Sequence, residues 1–105
     1  MKAKEETLFY ANEQVKLTTP YVDGLMEGQS IFYGVDGQVL AKTFYHKGKL
    51  HGECRYYYAD GSLFSILHFK EGRFDGRQEY FYHNGSPKTE IHFADGKIQG
   101  SPKFF

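Results

Sequence analysis

The chain has no tryptophan, one cysteine, three prolines and no net charge. A lone thiol, Cys54, can form neither an internal disulfide nor a cysteine-based metal cluster, and a reduced cytoplasmic setting is the default expectation. Thirteen basic residues cancel thirteen acidic ones. That balance removes the long-range field that draws proteins onto phosphate backbones or anionic membranes, so nucleic acid is not an expected partner. No run approaches the roughly 18 apolar residues that span a bilayer. The opening Met-Lys-Ala-Lys-Glu-Glu-Thr has charges with no apolar stretch behind them, and no export signal is read there. What the chain does have is 9 Tyr, 10 Phe and 12 Gly in 105 residues. Aromatics with many glycines and few prolines suit strands and tight turns better than disorder or packed helices.

The glycines are periodic. Gly24, Gly48, Gly72 and Gly96 recur every 24 residues, Gly28, Gly52, Gly76 and Gly100 follow four positions later, and Gly37, Gly61 and Gly85 form a third series. Residues 1–105 therefore read as one repeat domain, with a partial unit at 8–23, full units at 24–47, 48–71 and 72–95, and a partial unit at 96–105. An aromatic recurs near the end of each unit (Tyr21, Tyr45, Phe69, Phe93), and apolar pairs recur at Leu8-Phe9, Phe32-Tyr33, Tyr56-Tyr57, Tyr80-Phe81 and Phe104-Phe105. Two glycine series follow turn formers: Asp36, Asp60 and Asn84 in one, Asp23, Lys47, Glu71 and Asp95 in the other. Such dipeptides predict two-residue type I′ hairpin turns, because glycine accepts positive φ. The spacing leaves no room for a crossover helix, so the expected fold is all-β, a single-layer antiparallel meander of about nine strands, twisted or curled.

Two-residue loops throughout fix the expected pairing. They set Gly52 opposite Phe69 and Gly76 opposite Phe93, with each ring over a bare glycine. They also set Glu53 opposite His68, Arg55 opposite Ile66, Tyr57 opposite Phe64, Phe81 opposite Lys88 and Arg77 opposite His92. One face, which includes Leu50, Cys54, Tyr56, Tyr58, Leu63, Ser65, Leu67 and Phe69, is free of charge. The other mixes charged and aromatic residues and varies between units. A single-layer sheet with a bare apolar face needs a cover. Strong curling of the sheet is the expected solution, with self-association next.

The segment YHKGKLHG (Tyr45 to Gly52), followed by Glu53-Cys54 and YYYADGS, resembles the MORN repeat, with its spaced glycines, Gly-Lys-x-His-Gly turn and Asp-Gly-Ser hairpin. The 24-residue period and the spacing Gly-x-x-x-Gly with a following aromatic pair are similar to the bacterial MORN variant of the YwqK-family antitoxins. The resemblance covers nearly the whole chain and implies tandem β-hairpins that serve as binding surfaces. It implies antitoxin-like protein binding, and membrane or phospholipid-surface binding as the alternative.

No catalytic residue, cofactor or metal site is read from the sequence. His68 and His92 share a repeat position but stand two strands, roughly 10 Å, apart, too far for one zinc ion. His68 instead lies between Glu53 and Asp75 as a cross-strand partner. Cys54 belongs to the core series with Ser30, Gln78 and Pro102 and reads as an inert thiol. The serines sit in no strand-turn-helix elbow. Candidate partner-binding residues are the aromatics and apolars of the varied face, Tyr33, Tyr57, Phe64, Ile66 and Phe81, together with Phe105. The expected partner is a protein, with self-association a second mode. Lys97 to Phe105, which lacks a hairpin mate, offers a strand edge as another route.

Overall fold

The computed structural model describes all 105 residues. The strands in chain order are β1 (Ala3–Phe9), β2 (Val15–Val22), β3 (Leu25–Met26), β4 (Gly28–Tyr33), β5 (Val39–His46), β6 (Lys49–Leu50), β7 (Gly52–Tyr57), β8 (Leu63–Lys70), β9 (Arg73–Phe74), β10 (Gly76–Phe81), β11 (Pro87–Ala94) and β12 (Lys97–Phe104). Nine of them run side by side as one antiparallel sheet in the order β1-β2-β4-β5-β7-β8-β10-β11-β12, and the two-residue strands β3, β6 and β9 pair with β2, β5 and β8. The meander is therefore the expected one. Each short strand is the first part of a long strand that breaks at Glu27, His51 or Asp75.

The two families of turns differ. At Asp23-Gly24, Lys47-Gly48, Glu71-Gly72 and Asp95-Gly96 both residues have positive φ, the signature of the expected type I′ turn. At the Asp-Gly and Asn-Gly sites only Gly37, Gly61 and Gly85 do. There Gly61 N–H donates to Tyr58 O and Tyr58 N–H to Ser62 O, so the loop is a three-residue type I turn closed by a glycine bulge, not a two-residue loop. The side chain before the glycine favours this form: Asp60 Oδ1 accepts from Ser62 N–H at 2.9 Å and Asn84 Oδ1 from Ser86 N–H at 2.9 Å. Bonds from Ser62, and from His83, hold the Asp60 carboxyl at about 2, below its ordinary 3.8. A depressed carboxylate stabilises the turn above its unfolded pKa and loses that contribution as pH falls through the folded one. The Ser62 amide proton resonance is therefore expected to titrate with a midpoint near pH 2 while that of Ser86, capped by an amide, stays flat. A Ser62 midpoint near 4 would contradict the bond.

A second irregularity sets the shape of every unit. Tyr45 pairs with Leu50, yet Lys42 pairs with Arg55, so residues 43 and 44 face residues 51 to 54 and the register slips by two. The following strand bends at Gly52, where φ is +77°; Gly28 and Gly76 take +106° and +94° at the same place. A Cβ on Gly52 would meet nothing within 4 Å. This glycine series is thus required by backbone conformation, and the expected ring-over-glycine packing is not its cause, although Gly52 does pair with Phe69 and Gly76 with Phe93.

The slip removes a ladder partner from the backbone of the preceding strand, and a core side chain supplies it. Phe44 N–H donates to Cys54 Sγ at 3.3 Å, and His68 N–H donates to Gln78 Oε1 at 2.7 Å. The equivalent residue in the first unit is Pro20, which has no N–H to satisfy, and there Ser30 Oγ donates to Thr18 O instead. Buried backbone groups must be paired, which is why Ser30, Cys54 and Gln78 are buried in an otherwise thin core. Burial pushes the Cys54 thiol pKa up, as expected of an inert buried sulfur.

The bend also joins neighbouring units. Glu27 Oε1, His51 Nδ1 and Asp75 Oδ1 accept from the N–H of Lys47, Glu71 and Asp95, each at the next type I′ turn. The glycines of those turns, Gly48, Gly72 and Gly96, donate to Met26, Leu50 and Phe74 carbonyls. Three residue types thus do one task, and the contact does not require the His-Gly form.

The sheet stays open. It measures 42 × 33 × 15 Å, and nine strands at roughly 4.8 Å spacing account for most of its long dimension. The sheet does not close, because the slips bend each strand along its own length without bringing β1 to β12; they cover the apolar face only at its centre, where Ala41, Cys54, Ser65, Leu67 and Gln78 are buried. The accessible surface is 6885 Å², against about 6,100 Å² for a compact chain of this mass.

Candidate binding surface

Paired residues share a face, so the registers divide the candidates. A row running across the sheet joins Leu17, Phe32, Ala41, Tyr56, Ser65, Tyr80, Thr89 and Phe104. The next row, on the opposite face, joins Thr18, Ile31, Lys42, Arg55, Ile66, Glu79, Glu90 and Lys103. Ile66 therefore sits between Arg55 and Glu79 on the charged face, opposite Arg55 as expected. Tyr33, Tyr57 and Phe81 occupy one repeat position and are half-buried, and their counterparts at the ends, Phe9 and Phe105, are exposed.

The glycine bulge and a second, one-residue bulge beyond it change the partners near the Asp-Gly turns. Tyr57 pairs with Leu63 and Phe81 with Pro87, not with Phe64 and Lys88. The unpaired Phe64 packs edge-on against Tyr58 and Tyr80, with ring centroids 5.1 and 5.9 Å away. Tyr80 lies in the apolar row, so Phe64 crosses to the apolar face and Leu63 joins Tyr57 on the charged one. The sequence placed both on the wrong side because the alternation is shifted by one residue between the two bulges and restored beyond the second.

The same repeat position as Phe64 holds Lys16 and Lys88 in the outer units. Their ammonium groups lie over the rings of Tyr10 and Tyr82 at 5.6 and 5.7 Å. Tyr10, Tyr58 and Tyr82 share one repeat position, which Gly34 holds in the second unit, a series the sequence reading missed: Tyr10 and Tyr58 hydroxyls donate to the Tyr33 and Phe81 carbonyls of the next unit. His83 stacks on Tyr58 at 3.6 Å and bonds Asp60 at 3.1 Å.

The charged face is laced with same-strand pairs. Arg55 meets Glu53 at 3.0 Å, Arg77 meets Glu79 at 3.4 Å and His92 meets Glu90 at 2.9 Å. The His92 hydrogen bond holds the Glu90 carboxyl below its ordinary range. His68 departs from expectation: its Nδ1 bonds the Arg77 carbonyl at 2.6 Å rather than Glu53 or Asp75. Asp75 is turned toward the Asp95 turn. No group of three or more His, Cys, Asp or Glu side chains converges. The charged face therefore offers an apolar patch of Tyr57, Leu63 and Ile66 beside acid-base pairs, chemistry for recognition of a surface.

The sequence profile of a family described as MORN repeat variant matches residues 50–71 and 74–95. Among solved structures, the chain is similar to one described as the crystal structure of accessory secretory protein 1,2 and 3 in Streptococcus pneumoniae. The TM-score is 0.51 and the identity 17%, over 92% of this chain and 19% of that one. At that identity the likeness is one of fold, and this chain spans about a fifth of the other's length. No curated protein matches it.

Proposed function

We propose that this chain, which is a MORN-repeat protein, is a non-enzymatic module that binds another protein through the charged face of its sheet. The observation that carries the reading is the composition of that face. An apolar centre of Tyr57, Leu63 and Ile66 beside the Glu53–Arg55 and Arg77–Glu79 pairs has the anatomy of a protein-binding surface, where apolar anchors carry affinity and charged neighbours set orientation. Capture that neutralises its partner, the antitoxin-like behaviour the family resemblance implies, is the specific form we assign to this binding. Acidic and basic groups are interspersed on the face, which suits a protein of mixed charge better than an anionic lipid surface.

The test is a pull-down with the tagged chain and with a Tyr57→Ser/Ile66→Lys double variant, bound proteins being identified by mass spectrometry. Both substitutions lie on the charged face, where the two side chains are half-buried, and circular dichroism monitors the fold. A protein retained by the native chain is expected to be lost by about 30-fold, in line with removal of a binding hot spot. Equal retention by both chains overturns the assignment.

A further inference from the structure

We propose that the opposite, apolar face is the contact between two copies of this chain, packed sheet on sheet about a two-fold axis. The inference goes beyond the protein-binding reading and concerns a different surface. From Leu17 to Phe104 the central row carries no charge. Neither does the parallel row of Tyr21, Met26, Tyr45, Leu50, Phe69, Phe74, Phe93 and Ile98 near the type I′ turns. The rings along that second row already touch, with Phe69, Phe74 and Phe93 centroids 5.0 Å apart in succession. Charges on this side lie at its margins: Lys16 and Lys88 over the outer tyrosines, and Lys4 and Glu6 on β1, opposite Tyr21 and Thr19. An apolar centre within a charged margin is the layout of a protein interface.

Area is sufficient for such an occupant. The chain exposes 6885 Å², roughly 800 Å² more than a compact chain of its mass, and that excess matches one partner's share of a standard interface. The face itself spans 42 × 33 Å, ample for such a contact. A second copy presents the same charge-free rows and, with 13 basic and 13 acidic residues each, two copies meet without net repulsion. Aligned sheet packing at about 10 Å would then give the layered core that one chain lacks.

Edge-to-edge joining is the competing route, and both edges are guarded against it. Phe105 N–H donates inward to Lys88 O, so by antiparallel alternation the even-numbered groups of β12 point outward, and Pro102 has no N–H to offer there. On the other edge β1 carries Lys4, Glu5 and Glu6, charges that oppose strand addition. The open edge expected at residues 97–105 is therefore blunted.

Sedimentation equilibrium on the purified full chain tests the proposal, with three variants. Phe64→Lys/Ile98→Lys places charge on the apolar face at sites the fold tolerates. Lysine already holds the Phe64 position in the outer units, and Ile98 is 52% exposed. Thr7→Pro blocks the β1 edge, and Ile66→Lys charges the opposite face. A dimer for the native chain, for Thr7→Pro and for Ile66→Lys, with at least a 100-fold weaker dimer for the double lysine variant, supports the proposal. A monomeric native chain, a dimer unaffected by the two lysines, or a dimer lost through Thr7→Pro or Ile66→Lys overturns it. Because partner capture is read with Tyr57 and Ile66 alone, failure here leaves that reading standing, and the reverse.

Discussion

Replacing Gln78 by leucine is expected to lower the stability of this chain by about 3 kcal/mol, although leucine is apolar, similar in volume and placed in a core. Gln78 is 1% exposed. Its Oε1 accepts from His68 N–H at 2.7 Å and its Nε2 donates to His68 O at 2.9 Å. Leucine would leave that N–H buried without an acceptor, at about 1 to 3 kcal/mol, and would remove a donor from a carbonyl that keeps only Asp75 N–H. The loss corresponds to roughly a 15 °C drop in Tm for a domain of this size. Cys54→Ser is the matched control: a hydroxyl in the sulfur's place still accepts from Phe44 N–H, and the cost is expected to stay within about 1 kcal/mol. Thermal and urea unfolding of the two variants decide the matter. A Gln78→Leu protein as stable as Cys54→Ser would show that the slipped register does not depend on a side-chain acceptor.

The second large effect is expected at the glycines of the bend. Alanine at Gly76, where φ is +94°, forces an L-residue into a left-handed conformation at about 2 kcal/mol. Gly52→Ala is the sharper experiment, since φ there is +77° and an added Cβ would meet no atom within 4 Å. If room for the Phe69 ring were the reason for the glycine, alanine would cost little at so open a site. If backbone conformation is the reason, Gly52→Ala should cost nearly as much as Gly76→Ala, and asparagine, which tolerates positive φ, should cost less at both. A neutral Gly52→Ala would remove the conformational explanation.

Much of this structure is legible in the sequence. The glycine and aromatic periods define the units, and pairings such as Gly52 with Phe69, Glu53 with His68 and Arg77 with His92 come out as the spacing predicts, because the second bulge offsets the extra residue of the Asp-Gly or Asn-Gly loop. Errors begin at the irregular residues. The assumption of two-residue loops fails at Asp60-Gly61, because a side-chain acceptor at Asp60 stabilises a type I turn that glycine then closes as a bulge. The shift that results displaced Phe64 and Leu63 to the wrong faces and so divided the candidate binding residues. His68 found a backbone carbonyl in place of a charged partner, because the bend at Gly76 carries Asp75 away toward the next turn.

The sequence by itself determined the repeat, the antiparallel order and the existence of one uniform and one varied face. These depend on periodicity and local turn chemistry, which are properties of a chain read a few residues at a time. Only the tertiary structure decided where the alternation inverts, which core side chains complete the broken ladder, and that the sheet remains open with only the centre of its apolar face buried. Those outcomes depend on hydrogen bonds between units and on the path of the backbone at Gly28, Gly52 and Gly76, where a two-residue slip leaves the strand pattern unchanged but redirects everything that follows it.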